Sequence, residues 1–179
     1  SKEGAIKNCK VEPPKELHAR LTISTKDSTE LGNTLHQFLY IKDRSYFIEQ
    51  VEKSYALNEL GVEKTMFIEN TEKFNQWLNT NFNKFKQYPE FSMEVEIDNQ
   101  LAKGEADLVL ETDEGLILID YKSYAGNDDV ANSSCEFYAG KYSGQLELYS
   151  QMLESTFENK KVLKKLIYYV VQGKIVELK

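Results

Sequence analysis

The chain has 179 residues, a formal net charge of −7, two cysteines and a hydrophobic content of 41%. The length suffices for one domain with a hydrophobic core, and the composition excludes a disordered chain, a disulfide framework and a four-cysteine metal cluster. No apolar run approaches the roughly 18 residues of a membrane span, and the negative charge argues against a simple nucleic-acid-binding module, which usually carries a basic surface.

The N-terminal part is predicted to contain an arm followed by a helix. Residues 1–20 are polar and contain Pro13-Pro14, which is typical of an arm or linker. The apolar residues that follow recur at the i, i+4, i+7 and i+8 positions of a helix face, and they are Leu31, Leu35, Phe38 and Leu39. His36 therefore lies on a predicted helix, beside its apolar face.

The middle of the chain is predicted to change from helices to strands. Residues 45–88 have a helical pattern with an aromatic stripe, which indicates a core-facing surface, and Pro89 is predicted to end this region. Strands are then predicted at residues 91–97, 102–110 and 116–121. The last of these is nearly all apolar, as expected for a strand buried on both faces.

The C-terminal part is predicted to contain a long loop, a helix and two strands. The loop covers residues 124–143, is polar and acidic, and has a length that is more often functional than idle. The helix is predicted at residues 144–157. A β-branched and aromatic strand follows at residues 163–171, and a short last strand comes after it.

Three charged residues interrupt the apolar strands. Asp107 lies on one predicted strand, and Asp120 and Lys122 lie on the next. Because positions i and i+2 of a strand point to the same face, Asp120 and Lys122 project side by side. Unpaired buried charge is costly, and a divalent metal held by carboxylates, with a lysine beside the water that it activates, accounts for this pattern. The other explanation is that Asp107 and Asp120 form structural salt bridges with Lys103 or Lys122.

Four short motifs occur in order along the chain. They are Leu-Gly32-Asn-Thr-Leu-His36, Gly104-Glu-Ala-Asp107-Leu-Val, Ile-Asp120-Tyr-Lys122-Ser and Tyr142-Ser-Gly-Gln145-Leu-Glu-Leu-Tyr149. Each is weak alone, but the ordered set resembles the RecB-like branch of the PD-(D/E)XK nuclease superfamily, over about residues 31–149. The chain looks most like the nuclease domain at the C-terminus of AddA- or RecB-type helicase–nuclease subunits, which process broken double-stranded DNA ends.

The resemblance implies roles for individual residues. The implied metal ligands are His36, Asp107, Asp120 and the backbone carbonyl of Tyr121. The implied catalytic residues are Asp107, Asp120, Lys122, Gln145 and Tyr149. Lys122 would orient and help to deprotonate the attacking water, whereas Gln145 and Tyr149 would lie at the DNA-facing rim. The metal would be Mg²⁺, which prefers oxygen ligands, or Mn²⁺, which suits imidazole better.

Three further acidic residues lie near this set in the sequence. Glu94 and Glu96 share a strand face, and either could lie beside the site or on a solvated surface. Glu105 is expected to be exposed and to point away from Asp107.

The resemblance also implies cofactors, partners and location. No iron–sulfur cluster is expected, because the chain lacks the four cysteines that iron–sulfur members of the superfamily use. The expected partners are DNA, as single strands or broken duplex ends, a helicase motor on the same polypeptide and a second helicase–nuclease subunit. No membrane is expected, and a cytoplasmic location is expected because the two distant cysteines support no disulfide framework, which makes a reducing compartment the default.

The expected fold is α/β, with a restriction-endonuclease-like core whose central mixed sheet of about four or five strands is flanked by helices. Residues 1–20 would be an arm or linker, and residues 21–179 a single nuclease domain with a helical elaboration at about residues 45–88. The expected function is metal-dependent hydrolysis of DNA phosphodiester bonds, within a DNA-end-processing helicase–nuclease of recombinational repair. Two alternatives stay open: a catalytically silent DNA-binding or scaffolding module with this fold, or a stand-alone nuclease of phage or restriction type.

Overall fold

The computed structural model describes residues 12–126 and 142–179. Its centre is a six-stranded sheet with the strand order β1-β6-β5-β4-β3-β2. The strands are β1 (Lys15–Glu16), β2 (Lys86–Ile97), β3 (Gln100–Glu111), β4 (Leu116–Lys122), β5 (Val162–Tyr169) and β6 (Lys174–Leu178). β4 and β5 are parallel, and the other neighbouring strands are antiparallel. The expected mixed sheet is therefore confirmed, with one strand more than the upper expectation.

Helices cover both faces of this sheet. They are α1 (Ser28–Leu39), α2 (Arg44–Lys53), α3 (Tyr55–Glu59), α4 (Lys64–Asn81) and α5 (Gly144–Thr156). Helices α1 to α4 pack on one face, and α5 packs on the other as part of the crossover that the parallel pair β4–β5 requires. No helix within the described ranges combines the length and apolarity needed to span a membrane.

Strand β4 lies in the middle of the core, which explains its apolar sequence. Ile117 and Ile119 belong to the core cluster beneath α1 to α4, whereas Leu116 and Leu118 belong to the cluster beneath α5. All four side chains are at most 2% exposed. The prediction of a strand buried on both faces is confirmed. The charged residues Asp120 and Lys122 lie at the C-terminal end of this strand.

The predicted helical region 45–88 ends earlier than expected, because α4 stops at Asn81 and β2 starts at Lys86. Pro89, which was expected to end the helices, lies inside β2 opposite Leu108. β2 is an edge strand, where the missing N–H of a proline costs no ladder bond. The aromatic stripe lies before β2 and packs in the core beneath α1 to α4, as predicted; its members are Phe74, Trp77 and Leu78 in α4, and Phe82 and Phe85 after it.

Residues 12–20, within the predicted arm or linker, lie along the outer edge of the sheet. β1 pairs with β6, and the backbone N–H of Leu17 donates to the carbonyl of Gly173 at 2.8 Å. His18 is only 4% exposed, and its Nε2 lies 2.6 Å from the hydroxyl of Tyr168. This contact fastens the start of the domain to β5.

Burial of His18 predicts a pH dependence of stability. Burial lowers the pKa of His18 below its ordinary value, and the carbonyl of Ala19 only partly opposes this effect. The unfolded chain therefore takes up a proton before the folded chain does, so the contribution of His18 is complete above about pH 6.5 and is lost as the pH falls below it. Urea unfolding of wild type and His18→Gln between pH 5 and 7.5 should show their stability difference shrinking towards acid. A difference that is constant over this range would contradict the prediction.

Candidate active site

The predicted site residues meet where β3 and β4 separate. The β3–β4 ladder ends at the pair Leu108 and Ile119, so Asp107 and Asp120 occupy the next positions on the two strands. Helix α1 passes beside this point and brings His36 to it, with the imidazole Nε2 3.7 Å from Oδ2 of Asp107. The structure therefore brings together residues that are up to 84 positions apart in the sequence.

The alternation of faces along β3 breaks at Asp107. Ala106 and Val109 both belong to the core cluster beneath α5, although they are three residues apart. On the neighbouring strand, Glu90 stands at the matching position with a φ of 49°, in the left-handed region that non-glycine residues rarely adopt. The β2–β3 pairing runs from Pro89–Leu108 to Phe91–Ala106 without a pair between Glu90 and Asp107, so Asp107 lies at an irregularity of the ladder and its side chain reaches Tyr40 at the end of α1.

Asp107 accepts hydrogen bonds on both carboxylate oxygens. The hydroxyl of Tyr40 donates to Oδ1 at 2.6 Å, and the backbone N–H of Tyr121 donates to Oδ2 at 2.7 Å. Burial acts to raise the pKa of Asp107, but His36 and these two donors outweigh it and hold the pKa below its ordinary value. Asp107 is therefore an ionised carboxylate with a fixed orientation.

His36 is held by two backbone carbonyls. Its Nδ1 lies 2.7 Å from the carbonyl oxygen of Gly32, and its Nε2 lies 3.0 Å from that of Tyr121. Burial acts to lower the pKa of His36, but Asp107 and the two carbonyls raise it overall. Gly32 also lets α1 approach β4, because a Cβ there would lie 2.9 Å from Oγ of Ser123. The glycine of the first motif thus has a structural reason.

Asp120 and Lys122 form an ion pair, with 3.0 Å between Oδ2 and Nζ. Asp120 is 8% exposed, and its Oδ2 is a buried acceptor without a hydrogen bond of good geometry. Burial raises the pKa of Asp120 to about 6, with Lys122 opposing and Asp107 adding to the effect. The amine of Lys122 also lies 4.4 Å from the ring centroid of Tyr142, a cation–π contact that restrains it.

Gln145 and Tyr149 form a separate pair on α5. The side-chain amide of Gln145 donates to the hydroxyl of Tyr149 at 3.3 Å. The Tyr149 ring lies against Gly104 of β3, where a Cβ would come within 2.7 Å of the ring. This contact explains the glycine of the second motif, and the roles of Gln145 and Tyr149 at a DNA-facing rim stay predictions.

The donor atoms suit a divalent cation, although no three His, Cys, Asp or Glu side chains form a ready-made cage within residues 12–126 and 142–179. His36 Nε2 lies 3.0 Å from the Tyr121 carbonyl oxygen and 3.7 Å from Oδ2 of Asp107. Neighbouring ligands of an octahedral Mg²⁺ ion lie about 3 Å apart, so small side-chain shifts bring these atoms to ligand spacing. The buried acceptor on Asp120 supplies further negative charge, and the ligand assignment stays a prediction.

The structure adds site residues that sequence reasoning missed. Tyr40 lies one turn after His36 on the same side of α1, a spacing that was visible in the sequence. Glu90 and Glu105 line a groove beside α1 together with His36 and Tyr40. The expectation that Glu105 points away from Asp107 is wrong, because residues two apart in a strand share a face. Its expected exposure is confirmed.

Glu94 and Glu96 are exposed on β2, away from the residues that line this groove. The acidic loop with Asp128 and Asp129 lies outside the described residues.

The sequence of this chain matches a known protein family and several known proteins. The family model of the PD-(D/E)XK nuclease superfamily matches residues 15–178 of the chain. The chain is also 41% identical over 76 residues to an ATP-dependent helicase/nuclease subunit of Lactobacillus johnsonii, and 38% identical over 93 residues to that of Thermoanaerobacter sp. strain X514. These stretches cover 42% and 52% of this chain but 6% and 7% of the relatives, so the chain spans a small part of the proteins that it matches.

Proposed function

The chain belongs to the PD-(D/E)XK nuclease superfamily, and from this premise we propose that it hydrolyses DNA phosphodiester bonds with the help of Mg²⁺ or Mn²⁺. The observation that carries the proposal is the group of atoms at the end of β4. His36 Nε2 lies 3.0 Å from the Tyr121 carbonyl oxygen and 3.7 Å from Oδ2 of Asp107, and the Asp120–Lys122 ion pair lies beside them. The buried carboxylate of Asp120 lies next to that of Asp107, so the site holds more negative charge than the Asp120–Lys122 salt bridge alone neutralises.

The proposed division of labour follows from the contacts of each residue. His36, Asp107, Asp120 and the Tyr121 carbonyl hold the ion, which when bound polarises a phosphate oxygen and lowers the pKa of a water molecule. Lys122 keeps its amine at the site through Asp120 and the Tyr142 ring, and donates hydrogen bonds to the attacking water or to the phosphate. Gln145 and Tyr149, together on α5, support the phosphate at the rim.

The proposed context is a helicase–nuclease that processes DNA ends in recombinational repair. The similarity to proteins named as ATP-dependent helicase/nuclease subunits supports two partners in the cytoplasm, a motor on the same polypeptide and a second helicase–nuclease chain. The net charge of −7 supports delivery of single strands by a motor, because the chain itself attracts DNA weakly.

Lys122→Met is expected to lower cleavage of single-stranded DNA by about 10²-fold, because it removes the positive charge next to the reacting phosphate. Lys161→Met is the matched control, since the Lys161 side chain is 84% exposed on the loop before β5. Cleavage of a labelled oligonucleotide is measured with Mg²⁺ and with Mn²⁺. Equal activity of the two variants and wild type would refute the proposal.

The acidic composition favours one alternative, a silent module with the nuclease fold that binds or scaffolds. Calorimetric titration with Mn²⁺ distinguishes the two functions without relying on cleavage. Saturable binding that is lost in Asp107→Ala supports the nuclease. A wild-type chain without saturable binding supports the silent module.

A further inference from the structure

Tyr40 is in direct contact with the candidate site, although none of the four sequence motifs includes it. It caps the C-terminus of α1, and its hydroxyl donates to Oδ1 of Asp107 at 2.6 Å. Its ring lies 6.1 Å from that of His36 and 6.5 Å from that of Tyr121, measured between centroids. Tyr40 therefore hydrogen-bonds one proposed metal ligand, Asp107, and packs beside the rings of two residues that supply others, His36 and Tyr121.

The two oxygens of Asp107 are held from two different elements. Tyr40 donates to Oδ1 from α1, and the backbone N–H of Tyr121 donates to Oδ2 from β4. Two donors on opposite oxygens fix the plane of a carboxylate, whereas one donor leaves it free to rotate. The Tyr121 donor and His36 both act on Oδ2, so the hydroxyl of Tyr40 is the side-chain group that holds Oδ1.

The chemistry of a tyrosine suits this task. A phenol is a neutral donor, so it orients Asp107 and leaves the negative charge available to a cation, which a lysine or arginine in its place would neutralise. Each oxygen of Asp107 keeps lone-pair capacity beyond its one donor, and His36 Nε2 lies 3.7 Å from Oδ2. Groups that hold a metal ligand in this way typically contribute a factor of about 10 to 100 to metal affinity.

We propose that Tyr40 is a positioning residue, which orients Asp107 through its hydroxyl and thereby raises the affinity of the site for a divalent cation. This inference rests on the proposed function, in which Asp107 is a metal ligand. Packing of the Tyr40 ring contributes separately, and Phe keeps the ring while removing the hydroxyl.

The test compares Tyr40→Phe with Tyr46→Phe, a matched control whose ring is 52% exposed on α2. Calorimetric titration with Mn²⁺ in the absence of DNA is expected to show a dissociation constant about 10 to 100 times higher for Tyr40→Phe, and an unchanged value for Tyr46→Phe. Cleavage by Tyr40→Phe is expected to recover when Mn²⁺ is raised to saturation, so the effect lies in metal affinity rather than in kcat. A Tyr40→Phe constant within twofold of wild type would overturn the proposal.

A second, metal-free measurement tests the hydrogen bond itself. Tyr40→Phe is expected to lower the thermal midpoint in the wild-type background and to have a much smaller effect in the Asp107→Ala background, since the acceptor is then gone. Equal shifts in both backgrounds would overturn the contact and with it the proposal.

Failure of this inference is distinguishable from failure of the proposed function. A wild-type chain that does not bind Mn²⁺ saturably overturns both. A wild-type chain that binds Mn²⁺, with Tyr40→Phe binding equally well, overturns the role of Tyr40 alone.

Discussion

Asp120→Asn is expected to reduce cleavage of single-stranded DNA by about 10³-fold or more, while the folded chain keeps its stability. The substitution preserves the shape of the side chain and removes the charge that would face the cation and the amine of Lys122, which lies 3.0 Å away. The carboxylate is 8% exposed and lies next to Asp107, so its charge is unfavourable in the absence of a metal. Removing it should leave the urea midpoint unchanged or raise it.

The control for this substitution is Asp113→Asn, in the exposed turn between β3 and β4. It changes the same chemical group on the same hairpin, at the opposite end of β4 from the site. Cleavage and urea unfolding are measured for both variants. Activity of Asp120→Asn at the wild-type level would contradict the proposed site, and equal losses in both variants would show a general effect of charge.

Phe74→Ala is expected to lower the free energy of unfolding by about 3–5 kcal/mol. The Phe74 ring is 3% exposed and stacks on Tyr168 at a centroid distance of 4.0 Å and an interplanar angle of 10°. It also meets the ring of Tyr121 edge-on at 6.2 Å. Helix α4 is thus packed against the residue whose N–H and carbonyl take part in the site, and the substitution leaves a cavity behind Tyr121.

Urea unfolding of Phe74→Ala and of Tyr55→Ala provides the comparison, because the Tyr55 side chain is 74% exposed on α3. The Tyr55 variant should differ from wild type by less than about 0.5 kcal/mol. Cleavage by folded Phe74→Ala should also fall, since Tyr121 loses the ring that supports it. A loss of stability below about 1 kcal/mol would mean that the surrounding side chains close the cavity.

Local patterns in the sequence were sufficient for the element types near the site. The apolar run at residues 116–121 predicted β4, and the helical spacing predicted α1 and α5, because both depend on periodicity over a few turns or pleats. The pattern failed at the boundary between α4 and β2, because the helical region was predicted to extend to residue 88 although β2 starts at Lys86. There, pairing with β3 decides the conformation, and such pairing has no local signal.

The sequence by itself determined the α/β class, the buried strand β4 and the order in which His36, Asp107, Asp120 and Lys122 occur. Motif order carries this information because each motif lies on one local element. The tertiary structure alone decided that Tyr40 donates to Asp107, that Tyr142 lies under Lys122, and that Glu105 shares the groove beside α1. These contacts depend on the irregular pairing of β2 and β3 at Asp107 and on the approach of α1 to the end of β4, which arise from packing between distant segments.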